Sequence, residues 1–478
     1  MLSQKYTRLP GVQQKFVSFL LAAFLIIVLN SVVLILFETS TAAFYMSMVL
    51  IHIIMGLLII LPLLWFLVIH ILKMPLKYNQ QATLAGISTA AAGLTVLVSG
   101  ILLVILGSSF AGGWILWIHI ASTILTVIAF LTHVSLKKGM RYHFLEWGSV
   151  WKDGIGQALR HPFSVTFLAG IIIILMFGLS NWRFAAYPKY IEMEQQNNLA
   201  PSEAVLMNNG FVDETAFLNS KSCGQAGCHP DVYAQWNESV HHFSSFNNQY
   251  YTETVKFMQE SDGVDNVRWC ASCHDPAVLY SGRMNNVESI DMDHFTAKAG
   301  LTCLACHSTV GLRDVKGNGR YVLALPDEYP LARSQSEFGK WVHNTLVRAK
   351  PEPHRRAMLK PFQTSAEFCG SCHKVGVPPH INDYRWKRGQ NQYDSWHASG
   401  VSGNTVRSFY LPAEPKQCAD CHMPQVPSND QGGDEGFIKS HRFPAANSTL
   451  PHINEFPEQK AAVQRNLSNR AVLLDIFQ

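Results

Sequence analysis

The 478-residue chain is 48% hydrophobic and only 15% charged, with a net charge of +4. That length accommodates two or three domains, and so small a net charge excludes the basic surface that nucleic-acid binding needs. The apolar residues concentrate before about residue 180 and the polar ones after it, a division that separates a membrane part from a water-facing part.

Five apolar stretches carry no charged residue: Phe16–Phe37, Met46–Leu72, Ala82–Leu106, Trp114–Leu136 and Pro162–Leu179. Four are long enough to cross a bilayer core of about 30 Å at about 1.5 Å per residue, and the fifth is near the lower limit. The first is too long for a signal-peptide core and no small-residue cleavage site follows it, so it reads as a retained helix. Basic residues set the orientation. Lys5, Arg8 and Lys15 precede the first stretch, and Lys73 and Lys77 follow the second. Lys137, Lys138, Arg141, Lys152 and Arg160 lie between the fourth and fifth. The N-terminus is therefore expected inside, and five crossings put the second half outside.

Four histidines lie within these stretches, and an ionisable residue at that depth is a functional candidate. His52 and His70 are on the second, His119 and His133 on the fourth. Separations of 18 and 14 residues return each pair to nearly the same helix face. Matching by depth predicts His52 opposite His119 and His70 opposite His133, an arrangement suited to iron held between two neutral imidazoles. The two separations correspond to about 27 and about 21 Å of rise, so a tilt or a kink at Pro62 must absorb the difference. On the third stretch Gly86, Gly93, Gly100 and Gly107 recur every seven residues, giving a smooth stripe that admits a close neighbour. The placement resembles the dihaem cytochrome b membrane subunits of quinone-linked respiratory enzymes over about residues 14–180. The resemblance implies two haem b and a quinone substrate. Glu38 and Glu146, near opposite surfaces, are possible proton acceptors for it.

All ten cysteines lie between 223 and 421, in five pairs that each end in Cys-His. Four are Cys-x-x-Cys-His: Cys270/Cys273/His274, Cys303/Cys306/His307, Cys369/Cys372/His373 and Cys418/Cys421/His422. Two thiols at this spacing add to the vinyl groups of one porphyrin edge, and the next residue sets its imidazole under the iron. Zinc sites usually take cysteine pairs in twos, which an odd number of pairs fits poorly. A disulfide framework leaves the five histidines unexplained. The remaining pair, CGQAGCH, has two extra residues between Cys223 and Cys228 before His229. A longer loop still reaches both vinyl positions, as in the low-potential tetrahaem cytochromes of sulfate-reducing bacteria, which it resembles. Five haem c are therefore expected. Nine further histidines are available as second ligands: His241, His242, His294, His343, His354, His380, His397, His441 and His452. Flanking sequence favours His241, His397 and His441, then His294 and His343.

The stretches CHPDVYAQWNESVHHFSS, WCASCHDPAVLYSG, GLTCLACHS, CGSCH, and CADCHMP followed by SHRF resemble the multihaem cytochromes c of the hydroxylamine oxidoreductase and tetrahaem cytochrome c group, over about 220–452. The resemblance implies neighbouring haems packed in contact. The expected architecture is all-α: a five-helix transmembrane bundle over 1–182, a polar connector over 183–220, and a loop-rich, mainly helical haem-binding domain over 221–478. The unusually long gap between Cys306 and Cys369 marks a cover over haems or a docking surface. The expected role is electron transfer between a membrane quinone pool and a periplasmic cytochrome or other redox protein, from the bacterial cytoplasmic membrane. Two other roles stay open. One is a terminal oxidoreductase with a five-coordinate haem acting on a small nitrogen or sulfur compound. The other is a subunit of a larger respiratory complex.

Overall fold

The computed structural model describes residues 11–37, 42–72, 80–108, 113–137 and 188–468, apart from 195, 197, 209, 405–410 and 434. The fifth apolar stretch, the basic residues at 138–160 and at 73–77, Lys5, Arg8, Glu38, Glu146 and the apolar C-terminal AVLLDIF lie outside the described residues. The chain divides into two units. One comprises Met1–Ala185 with Asp327–Arg355; the other comprises Ala186–Pro326 with Arg356–Gln478. Residues 327–355, expected within the haem-binding region, thus group with the first unit.

In the first unit four helices follow in order: α1 (Gly11–Leu36), α2 (Ala42–Leu72), α3 (Gln80–Leu106) and α4 (Gly113–Lys137). The segments Ala43–Leu72, Gln80–Leu106 and Gly113–His133 are each long and apolar enough to cross a membrane, consistent with a membrane anchor. In α1 the apolar run among the described residues is shorter, Ile26–Leu36. Outward faces stay apolar: Leu61, Leu72 and Trp117 are each more than 70% exposed, as expected of helices whose surroundings are lipid. Pro62 lies inside α2. The helix Glu337–Ala349 belongs to this unit and is capped by Ser336, whose side chain accepts from Gly339 N–H at 3.0 Å. It is tied to the end of α3, where Ser108 donates from N–H to Arg348 O at 3.0 Å and from its hydroxyl to Ala349 O at 2.8 Å. Tyr45, Met46 and Val49 of α2 pack with Tyr329 and Leu346 in one apolar cluster.

The second unit is mainly helical, with three small sheets that the sequence reading did not place. Strands β1 (Val205–Leu206), β2 (Thr309–Leu312) and β3 (Tyr321–Leu323) form one in the order β1-β3-β2. Two hairpins, Lys374–Val377 with Lys387–Asn391 and Gln425–Pro427 with Phe437–Lys439, form the others. Runs this short carry almost no period-two signal. The core gathers Leu199, Phe217, Val255, Val267, Tyr280, Met284, Leu312, Leu323 and others. Helices α5 (Pro230–Asn237), α6 (Gln249–Asp262) and α7 (Val264–His274) come from the motif-bearing sequence. Pro230, fixed at the right φ and lacking an N–H, opens α5. Asn248 caps α6 by accepting from Tyr250 N–H and Tyr251 N–H.

Candidate haem-binding sites

Three attachment motifs lie on helix, while CGQAGCH and CGSCH start at the ends of the helices Asn219–Cys223 and Ala366–Gly370 and run on into turns. CASCH ends α7, and CLACH and CADCH each form a five-residue helix of their own. Thr302 caps the turn Cys303–His307 by accepting from Ala305 N–H at 3.3 Å, and Gln417 with Asp420 forms a capping box on Cys418–His422. Tyr321 donates to Ser272 O at 2.6 Å, and Trp236 donates to Leu301 O at 2.7 Å, so motif turns are pinned to distant chain. A helical turn sets both thiols and the imidazole on one side, as covalent attachment requires.

Nine of the ten cysteines are partly accessible and Cys421 is exposed. Cysteine with a purely structural role is usually fully buried. Thiols from different motifs also meet. Cys223 is within hydrogen-bond reach of Cys303, Cys273 of Cys372, and Cys369 of Cys418. First and third motifs are therefore neighbours, as are second and fourth, and fourth and fifth. Burial pushes the Cys306 thiol up to about 12, with the Cys372 thiol nearby adding to it, which links third to fourth.

Four histidine pairs face one another. His52 and His119 have ring centroids 6.3 Å apart, and His70 and His133 are 6.2 Å apart. His241 and His373 are 6.2 Å apart, and His307 and His441 are 6.3 Å apart. An iron–nitrogen bond of about 2.0 Å and about 1.1 Å from nitrogen to centroid put two imidazoles on opposite sides of one iron about 6.2 Å apart. Among the described residues no group of three or more His, Cys, Asp or Glu is placed to hold a metal ion; the imidazoles come in twos, the number an iron in a macrocycle lacks.

The far ring nitrogens are also arranged. A metal-binding histidine usually has its other nitrogen held by a hydrogen bond. His274, His307 and His422 turn Nδ1 to the carbonyls of Ser244 (2.8 Å), Met358 (2.9 Å) and Pro444 (2.7 Å). His441 turns it to Lys439 O at 2.9 Å, and His229 to Asp430 Oδ1 at 2.8 Å. Between α3 and α4 Ser99 Oγ is 3.0 Å from His119 Nδ1, and His133 Nδ1 is 2.7 Å from Ala82 O. Holding Nδ1 in this way orients the ring so that Nε2 can serve as the iron ligand. His52 Nδ1 is buried with no hydrogen-bond partner among the described residues. Burial, then the neighbouring His373 and His441, pulls His241 down to about 3; burial and His307 pull His441 down to about 4. Both are neutral near pH 7, the form that binds iron. The residues present fit haem.

Of the expected glycine stripe, Gly86, Gly93 and Gly100 face α4, whereas Gly107 lies just past α3 at positive φ against the Arg348 backbone. A Cβ at Gly86 would stand 2.9 Å from the His133 ring, and one at Gly100 would stand 3.3 Å from His119.

The other expected ligands are elsewhere. His294 lies beside Glu214, with Nε2 3.8 Å from Oε1. His397 packs on Tyr393 and Trp396. His343 is in the first unit beside Tyr329, with His354 on the same tyrosine. His242 packs tilted against Trp236 at 4.5 Å, His380 is exposed, and His452 meets Lys460. Sequence reasoning missed the anchors. Carbonyl anchors leave no sequence signal because every residue has a carbonyl; Ser99 and Asp430 were readable residues with nothing to connect them to a histidine.

Residues 222–312 match the family described as cytochrome c554 and c-prime. The matched stretch contains the first three motifs, CGQAGCH included. It supports an electron-transfer protein with covalently attached haem c. No curated protein and no solved structure matches the chain.

Proposed function

We propose that this is a membrane-anchored multihaem cytochrome that carries electrons between the quinone pool and a periplasmic acceptor, through two haem b and five haem c. The observation that carries the reading is the pair of histidine sites between α2 and α4. They have the same 6.2–6.3 Å separation as the two pairs in the cytochrome c region, and they stand 18 and 14 residues apart along their helices. Two iron sites stacked through the membrane thickness serve transmembrane electron transfer.

Haem iron supplies one-electron steps. Oxidation of a quinol releases two protons and two electrons, which such groups would accept one at a time. His52, His119, His70 and His133 would hold the two irons of the helix unit. Ser99 and Ala82 fix the ring orientation of His119 and His133, and the apolar helices keep water out. The Cys-His motifs would hold the c irons, and their meeting thiols would keep successive sites close. By the basic residues flanking the helices, the N-terminus is on the cytoplasmic side and the c region in the periplasm, where haem is attached. The acceptor is a periplasmic cytochrome or other redox protein.

The test is anaerobic addition of a short-chain quinol to the purified protein, with and without His119→Ala. The reading predicts that the c-type α-band appears quickly in the wild type and at least tenfold more slowly in the variant, while dithionite reduces the c sites of both. Equal rates would contradict it.

A second reading, a terminal oxidoreductase with one open iron, is favoured by one observation. Among the described residues the ring against His274 is Tyr251, stacked at 4.5 Å and 11°, and no histidine faces it. A high-spin ferric signal that shifts on adding nitrite or hydroxylamine would favour this reading.

A further inference from the structure

The five motif histidines are not anchored alike. Three turn Nδ1 to a backbone carbonyl, and His373 is held by the Gln392 side chain. His229 turns it to a carboxylate, Asp430 Oδ1, at 2.8 Å, and the Asp430 side chain has no exposed surface. A carbonyl oxygen carries a partial negative charge and a carboxylate a full one. The carboxylate draws the Nδ1 proton further from the ring, and Nε2 becomes the stronger donor. A stronger donor favours ferric over ferrous iron and lowers the reduction potential.

Asp430 is built into place. Its Oδ1 also accepts from Gly432 N–H at 2.9 Å, and Oδ2 accepts from Val232 N–H at 3.5 Å. Its own N–H donates to Ser428 Oγ at 2.9 Å, and that hydroxyl donates to Asp231 at 2.5 Å. The loop passes so close that a Cβ at Gly432 would stand 2.9 Å from the His229 ring. The described partners of the carboxylate are one imidazole and backbone N–H groups. No cation among them spreads its charge, so the imidazole receives it.

We infer that Asp430 is the positioning residue that tunes the haem of the CGQAGCH motif, holding its potential below what a carbonyl-anchored histidine would give, so that electrons fill the other c sites before this one. The inference rests on the haem reading of that motif and not on quinol as donor.

The test is a spectroelectrochemical titration of the full-length protein in detergent, comparing wild type, Asp430→Asn and Asp430→Glu, with low-temperature EPR at each potential. Asparagine keeps the shape and an acceptor but removes the charge. One c-type midpoint is expected to rise by about 59 mV, a tenfold change in ferric-over-ferrous preference, while the other four hold. The EPR signal of that same haem should move, and Glu, which keeps the charge, should bring the midpoint back toward wild type. Unchanged midpoints in Asp430→Asn, or a Glu variant as high as the Asn one, would overturn the inference. A covalent haem count of four in the wild type would instead remove the haem reading of the motif.

Discussion

Gly86 and Gly100 leave different amounts of room. A methyl group at Gly86 would press on His133 at 2.9 Å, closer than real contacts allow, whereas at Gly100 the nearest atom of His119 is 3.3 Å away. Gly86→Ala should therefore displace the His133 ring and cost most of the inner non-covalent haem. Gly100→Ala should cost a minor part of the outer one. A pyridine haemochrome assay of b against c haem in the two variants checks this; equal losses would contradict it. At this scale the sequence was legible where covalent or steric chemistry fixes a residue type. Thiol spacing in the motifs is set by the porphyrin edge, and Gly86 and Gly100 by the need for space beside a ring. It was not legible where one backbone group meets another. Ser244, Met358 and Pro444 serve His274, His307 and His422 through carbonyls alone, so their identities carry no trace of the role.

The pairing of α2 with α4 is a property of whole elements. Eighteen residues on one helix and fourteen on the other would not bring both pairs level on two straight, parallel helices, yet both pairs close to the same separation. Pro62 lies inside α2 between His52 and His70, where it removes one helix hydrogen bond and so permits a bend in the longer path. The helices also set how the rings are turned. His52/His119 and His70/His133 cross at 75° and 80°, while His307/His441 cross at 26°. Crossed imidazoles leave the iron dπ orbitals nearly degenerate and give strongly anisotropic low-spin EPR spectra; near-parallel ones give ordinary rhombic spectra. Both membrane sites should show the first kind and the third-motif site the second, and His119→Ala should remove one anisotropic signal only. Rhombic spectra at both membrane sites would contradict the geometry. Helix positions were readable from unbroken apolar runs. The helix Glu337–Ala349 was not, because its role lies in the Ser108 and Tyr45 contacts, more than two hundred residues away in sequence.

Across the whole chain, a membrane unit with paired histidines and a second unit with clustered thiols amount to one conductor only if both hold iron. The thiol neighbours link all five motifs, first to third, third to fourth, fourth to second and to fifth. That continuity arises from folding across as many as a hundred intervening residues, which no local pattern encodes. The five Cys-His motifs leave a covalent signature that sequence alone exposes, whereas the paired histidines of α2 and α4 would bind iron through nitrogen alone and leave none. The most direct measurement is therefore the haem inventory of the intact protein. Acid–acetone extraction should release two non-covalent haem b for every five haem c that stay on the chain. If all the haem stays covalent, the histidine pairs of α2 and α4 hold no iron, and the route through the membrane proposed here does not exist.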